Sequence, residues 1–331
     1  MRARAAVLAS AVALAGMVAA GCGSSGSTSS GQQRVSLMLD FFPNADHAPI
    51  YAAQADGRFK AQKVAVKVRA PSDPSVPIKL VAAGKVDLGI SYEPELLRAR
   101  DRGVPVEAVA ALVHTPLTTI ISLPNAGIRT PADLRGKTVG TAGIDYQAAY
   151  LQAILARAQV PQSSVKQRNV GFDLVPALLT GKVDAILGGY WNHEAVDLRQ
   201  RGKNPQVIRI EQAGVPGYDE LVIVARTDTV RKHPDLVKRF LAGLAAGAAD
   251  LRSDPSKGVD ALLHANPDLQ RKLQEESVRV TLPYFGSVAG KPYGYMDPAR
   301  WQEFARFMAA NHLLKSANTS GAFTNALLPS G

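Results

Sequence analysis

An α/β fold of two similar lobes facing each other across a ligand cleft is the architecture this sequence predicts, on three observations. Short β-rich runs alternate with helix-period stretches through most of the chain, the pattern of strands joined by helices. A unit recurs: Leu80-Val81-Ala82-Ala83-Gly84-Lys85-Val86-Asp87-Leu88-Gly89-Ile90 returns as Ala177-Leu178-Leu179-Thr180-Gly181-Lys182-Val183-Asp184-Ala185-Ile186-Leu187. In each copy a helical run stops at glycine, the usual left-handed stop, and an apolar strand follows. Finally, aromatic and acidic residues come just after both copies, where open parallel sheets bind ligands.

The elements follow in order. Strands are expected at 35–40, 64–70, 87–92, 106–113, 118–123, 137–141, 165–170, 185–190, 206–211 and 220–226. Helices are expected at 48–55, 78–83, 147–159 and 175–180, then through a mostly helical end at 234–252, 256–266, 267–278 and 297–311. The Ala-rich run at 241–249 is too short for a membrane span and is bounded by Arg239 and Asp250, so it reads as a buried helix.

The N-terminus reads as an export signal. Arg2 and Arg4 precede an apolar run ending at Gly21-Cys22, the build of a signal peptide over residues 1–21. Val18-Ala19-Ala20-Gly21-Cys22 resembles a lipobox, in which the cysteine becomes the lipidated first residue. Cys22 is the only cysteine, so no disulfide partner competes for it. The Ser/Gly-rich stretch that follows reads as a flexible tether over 22–33. A formal charge of +10 falls to +8 when Arg2 and Arg4 leave. The basic residues are scattered among acidic ones, without the clustered patch that nucleic acid requires.

Candidate site residues concentrate at strand ends. The segment Asp40-Phe41-Phe42-Pro43-Asn44-Ala45-Asp46-His47 follows the first strand, and Asp40, Phe42, Asn44 and His47 are candidate ligand contacts. The alternative is a capping turn with Asp46 as the cap. Beyond the first repeat copy stand Tyr92 and Glu93, and beyond the second Tyr190, Trp191 and Glu194. Aromatic faces offer large oriented contact, and the carboxylates offer acceptors for an amine or a protonated ring nitrogen. The paired glycines Gly188-Gly189 allow close approach to the backbone. Tyr146 opens a helix from which it can close the site. There is no phosphate loop, no nucleophile elbow and no metal-ligand spacing among the six histidines, so no metal and no cofactor are expected. His114, His233, His264 and His312 read as loop or helix-surface residues.

Together these residues resemble the type 2 periplasmic binding proteins, solute-binding components of ABC importers, and within them the branch handling pyrimidine precursors of thiamine. Leu39-Asp40-Phe41-Phe42-Pro43-Asn44-Ala45-Asp46-His47 is similar to that branch's aromatic-Pro-Asn signature. The segments 83–89 and 188–194 and Tyr295-Met296-Asp297-Pro298-Ala299-Arg300-Trp301 fit as well, so the resemblance spans nearly all of 34–315. It implies a discontinuous lobe 1 (34–115 and 222–331), a lobe 2 (116–221) and two hinge strands near Pro116 and Glu220. It also implies an extracytoplasmic monomer, anchored through Cys22, that binds hydroxymethylpyrimidine or formylaminopyrimidine and delivers it to a permease and ATPase without catalysis. Relatives that bind sulfonates, taurine or nitrate are the alternative, although the motifs carry no arginine for an anion. Related synthases use pyridoxal phosphate with a lysine and a histidine where Ser91 and Glu95 stand here.

Overall fold

The computed structural model describes residues 31–286 and 288–330. The expected signal peptide, Cys22 and most of the expected tether lie outside them. The order is β1 (Gln33–Met38), α1 (Ala48–Ala55), α2 (Arg58–Ala61), β2 (Val64–Arg69), α3 (Pro77–Ala82), β3 (Leu88–Ser91), α4 (Glu93–Asp101) and β4 (Val106–Val113). Then come β5 (Thr118–Ser122), β6 (Thr138–Thr141), α5 (Asp145–Arg157), β7 (Lys166–Asn169), α6 (Leu174–Leu179), β8 (Ala185–Tyr190), α7 (Glu194–Gln200) and β9 (Gln206–Arg209). The chain ends with β10 (Leu221–Arg226), α8 (Thr227–Lys232), α9 (Pro234–Ser253), α10 (Pro255–Ala265), α11 (Arg271–Thr281) and α12 (Pro298–Ala310).

Every strand expected from the sequence forms. The helix expected at 267–278 begins later, at Arg271, because residues 267–270 form a turn ahead of it.

The strands make two five-stranded sheets, in the orders β2-β1-β3-β10-β4 and β7-β6-β8-β5-β9. Each has three parallel strands beside an antiparallel one: β10 runs against β3 and β4, and β5 against β8 and β9. The internal repeat therefore occupies the same place in both sheets. Gly84 and Gly181 end α3 and α6 at φ +65° and +70°. Asp87 accepts from Ser36 N at 2.7 Å, and Asp184 from Thr138 N at 2.7 Å. The aspartate of each copy thus pins its strand to the neighbouring parallel one. β3, β4 and β5 are buried throughout, while β7, with Lys166 and Arg168, is an exposed polar edge, which discourages pairing with another chain.

Two crossovers connect the sheets, residues 114–117 and 210–220. They are tied by Glu220, fully buried, which accepts from Leu117 N (2.6 Å), Thr118 N (2.8 Å), Thr118 Oγ1 (3.0 Å) and Tyr218 Oη (3.0 Å). Beside it, Asp219 accepts from Trp301 Nε1 at 2.7 Å and sits 3.1 Å from His114 Nδ1. His114 is therefore part of a buried junction and not the surface residue its loop position implied.

Helix α9 is amphipathic, not buried all round; its inner face includes Phe240, Gly243, Leu244 and Gly247. The two glycines stand four residues apart, on one face. A Cβ at Gly247 would lie 2.4 Å from Ala53 Cβ and 2.6 Å from Pro49 O, so α9 lies almost directly on α1. Gly247→Ala is expected to destabilise the fold by about 1–3 kcal/mol through overpacking, read as a lower urea midpoint at unchanged slope.

Candidate functional site

A cavity opens where the carboxyl ends of β1, β3, β6 and β8 meet. It is lined by Asp40, Phe41, Asn44, Tyr92, Ala142, Ile144, Tyr146, Gln147, Leu174, Gly188, Tyr190, His193 and Glu194. The free space between its walls is about 380 Å³ with the solvent at its open side included, and the walls stand close together. No arginine or lysine lines it. Among the described residues, no group of three His, Cys, Asp or Glu is placed to hold a metal.

The segment after β1 is built around its own hydrogen bonds. Asn44 Oδ1 accepts from Asp46 N at 2.8 Å and caps the short turn that leads into α1. The cap is thus Asn44 and not Asp46. Asn44 N donates to His47 Nδ1 (3.1 Å), so the ring proton lies on Nε2 and is donated to Asp40 Oδ1 (2.9 Å). Tyr92 Oη donates to the other Asp40 oxygen at 2.8 Å. Both Asp40 oxygens are engaged, which makes Asp40 a rigid wall that orients Tyr92.

Six of the expected residues meet in this cavity: Asp40, Asn44, Tyr92, Tyr146, Tyr190 and Glu194. Tyr92 and Tyr146 face each other with ring centroids 5.3 Å apart, and the Tyr146 hydroxyl is buried without a partner. Glu194 Oε2 accepts from Tyr190 N at 2.7 Å. Burial pushes the Glu194 carboxyl up to about 7, against the lowering effect of that N–H. Burial also pushes the His193 imidazole down to about 4, leaving it neutral at neutral pH, with Nδ1 unpartnered.

The other four expected residues lie outside the lining. His47 is fully buried behind Asp40. Phe42 packs on Phe41 at 4.5 Å and approaches His193 at 6.1 Å. Glu93 turns to the crossover, where its Oε2 accepts from Asp219 N at 2.7 Å. Burial, with Asp219 alongside, raises its carboxyl well above the ordinary range. Trp191 donates from Nε1 to Pro116 O (3.1 Å) and lies under the Arg209 guanidinium, 4.0 Å from the ring centroid. One face of the ring is thus already covered.

Gln147, Gly188, His193, Phe41, Ile144, Ala142 and Leu174 also line the cavity and were not among the candidates. Gly188, His193 and Phe41 stood inside the segments singled out, where the signal was present but unassigned. Gln147 had none, since a glutamine in a helical run looks like any surface position. The close approach predicted at the glycine pair is real, but it is made by protein: Gln147 at Gly188, and Ile186 and Ile121 at Gly189.

A model of the family described as NMT1/THI5 like matches residues 44–258. The chain belongs to the NMT1/THI5-like family. A putative thiamine biosynthesis protein of Haemophilus influenzae is 34% identical over 287 residues, covering 86% of this chain and 90% of that one. A formylaminopyrimidine-binding protein of Halalkalibacterium halodurans is 31% identical over 287 residues, covering 86% and 87%. Family matches at 24% to 28% identity include 4-amino-5-hydroxymethyl-2-methylpyrimidine phosphate synthases. Among solved structures, the alkanesulfonate-binding protein SsuA of Xanthomonas axonopodis pv. citri, bound to MOPS, superposes with a TM-score of 0.69. The match is 16% identical and covers 88% of this chain and 98% of that one. The fold is therefore that of the periplasmic binding proteins, as the motifs led us to expect.

The raised Glu194 carboxyl has a sign that can be tested. With a folded value of about 7 against an ordinary 4.5, it holds a proton in the folded state that the unfolded chain releases. Its contribution is full below about pH 4.5 and is lost as pH rises through 7. Glu194→Gln should therefore gain stability relative to the parent protein between pH 5 and pH 8. Urea denaturation at both pH values, comparing the two proteins, checks this.

Proposed function

We propose that the chain is the extracytoplasmic solute-binding component of an ABC importer and that it takes up a pyrimidine precursor of thiamine, hydroxymethylpyrimidine or formylaminopyrimidine. The observation that carries this is the cavity wall: tyrosines Tyr92, Tyr146 and Tyr190, the carboxyl of Glu194, and no cationic side chain. Aromatic walls suit a flat ring, and a buried carboxyl suits an amine or a protonated ring nitrogen. A sulfonate or nitrate would need compensating cations; the lining has neither arginine nor lysine and carries the carboxyls of Asp40 and Glu194, which makes the anion reading the weaker one. The printed names of the Haemophilus and Halalkalibacterium relatives agree with the pyrimidine reading. Catalysis through pyridoxal phosphate has little support, because no lysine lines the cavity. At the expected lysine and histidine positions Ser91 Oγ instead donates to Glu95 at 2.6 Å.

In this reading the two sheets with their helices act as lobes, 34–115 with 222–331 and 116–221, that close on the ligand about the Glu220 junction. Cys22 carries the lipid that holds the protein at the membrane, where a permease and an ATPase receive the ligand. No helix among the described residues is long and apolar enough to cross a membrane. The closed cleft has a clasp: Asp145, first residue of α5, accepts from Arg98 and Arg102 of the α4 end at 2.6 Å each. Asn192 Nδ2 adds a second tie, donating to Asp46 Oδ1 and Thr281 Oγ1, both at 2.6 Å.

A thermal-shift screen with hydroxymethylpyrimidine, formylaminopyrimidine, taurine, an alkanesulfonate, nitrate and pyridoxal phosphate tests the ligand class. A ligand of the folded state adds about 4 kcal/mol at a thousandfold excess over its dissociation constant, so a pyrimidine should raise the melting temperature clearly. A shift with sulfonate or nitrate alone would overturn the pyrimidine reading. Asp145→Asn should weaken ligand binding by about two- to tenfold at low salt, because partly exposed ion pairs are each worth about 0.2–1 kcal/mol. The difference should shrink at high salt, and calorimetry at two salt concentrations reads it.

A further inference from the structure

One cavity residue has its chemistry fixed by the backbone around it. Gln147 is 1% exposed, in the first turn of α5. Its Oε1 accepts the Ala142 N–H at 2.9 Å. An amide held through its oxygen must turn its NH₂ group the other way, so the orientation of this side chain is set by the Ala142 donor. The Nε2 has no partner among the described residues, and the side chain forms part of the cavity wall.

The opposite surface is shaped to admit that amide. Gly188 has φ +100°, a conformation that side-chain-bearing residues rarely adopt. A Cβ there would lie 2.2 Å from Gln147 Nε2. Any other residue at 188 would be strained and would also displace the amide. The strand thus gives up a side chain at this point, and the group that takes the space is a donor.

Two residues along the same strand, Tyr190 N occupies Glu194 Oε2, and Oε1 has no side-chain partner among the described residues. Gly188 falls at an irregularity in the pairing of β8 with β5, and it and Tyr190 both border the cavity, as do Gln147 and Glu194. The cavity therefore presents a donor and an acceptor over neighbouring positions of one strand, beside the Tyr190 ring.

We infer that Gln147 determines specificity, donating from Nε2 to an in-plane acceptor nitrogen of the ring whose amine is received by Glu194. This deepens the pyrimidine reading and rests on it. A heteroaromatic amine satisfies both groups at once. An anion that only accepts would meet Gln147 but face the Glu194 carboxyl unmatched, and an aniline would leave the buried amide donor unpaired, which is the costly case.

The test uses two probes, 4-amino-5-hydroxymethyl-2-methylpyrimidine and 2-amino-4-methylbenzyl alcohol, the same molecule with both ring nitrogens replaced by CH. Calorimetry at pH 8 is run on the parent protein, Gln147→Met and Gln147→Glu. Gln147→Glu keeps an acceptor for the Ala142 N–H, so it guards against a variant that fails to fold. The parent should prefer the pyrimidine. Both variants should lose about five- to fiftyfold in pyrimidine affinity without losing affinity for the aniline, which no longer leaves a buried amide donor unpaired, so the preference collapses. Variants that keep the parent's pyrimidine-to-aniline preference would overturn the role of Gln147 and leave the pyrimidine reading standing. A parent protein that binds neither probe would overturn the pyrimidine reading, and the inference with it.

Discussion

Much of this structure depends on a carboxyl group that has no business in a protein interior unless it is surrounded by donors. Burying an unpaired charge costs several kcal/mol even after relaxation, and Glu220 is fully buried at the place where the chain passes between its two sheets. The donors come from both passages: Leu117 and Thr118 on the outgoing one, Tyr218 on the returning one. Its carboxyl is still pushed up to about 7 by burial, so the donors offset the cost without removing it. Because the same group also accepts from Tyr190 Oη at 3.4 Å, a long hydrogen bond ties the junction to the cavity wall.

Next to it, the pairing of Asp219 with Glu93 explains why a residue expected at the cavity lies outside its lining. Glu93 opens α4 just as Glu194 opens α7, each at the first helical position beyond a repeat copy. The equivalence is real at the level of backbone and fails at the level of side-chain surroundings. The returning crossover passes on one side only, and it offers Glu93 the Asp219 N–H that no segment offers Glu194 in the other sheet. Two copies of one unit have been given different work by what packs against them.

This also marks how far the sequence could be read. The strands were legible because buried parallel strands are apolar runs bounded by glycine and proline, and the repeat fixed where their ends must fall. Short helices such as α4 and α7 were not. They begin directly after a strand, and α4 carries Pro94 together with five charged residues among its nine, so no apolar stripe stands out. In the cavity, Tyr92, Tyr190 and Glu194 were legible from their position beyond the repeat, and Tyr146 from its place at the start of a helix. Trp191 has the same position and type but follows Tyr190 by one residue. At the end of a strand one residue decides the face, and the turn after β8 sends the indole to Pro116 and Arg209. Gln147 was invisible because its importance lies in Ala142 and Gly188, neither of which is near it in any sequence pattern.

The clasp of Asp145 with Arg98 and Arg102 is made by residues that do not line the cavity. In the proposed reading, the strength with which the cleft is held shut and the identity of what it holds are therefore written in different residues. A lineage facing scarcer or more abundant ligand can retune retention by exchanging charges at the rim, one at a time, while the inner wall keeps its selectivity. The reverse is equally open: a new ligand can be acquired at the wall without relearning how to close.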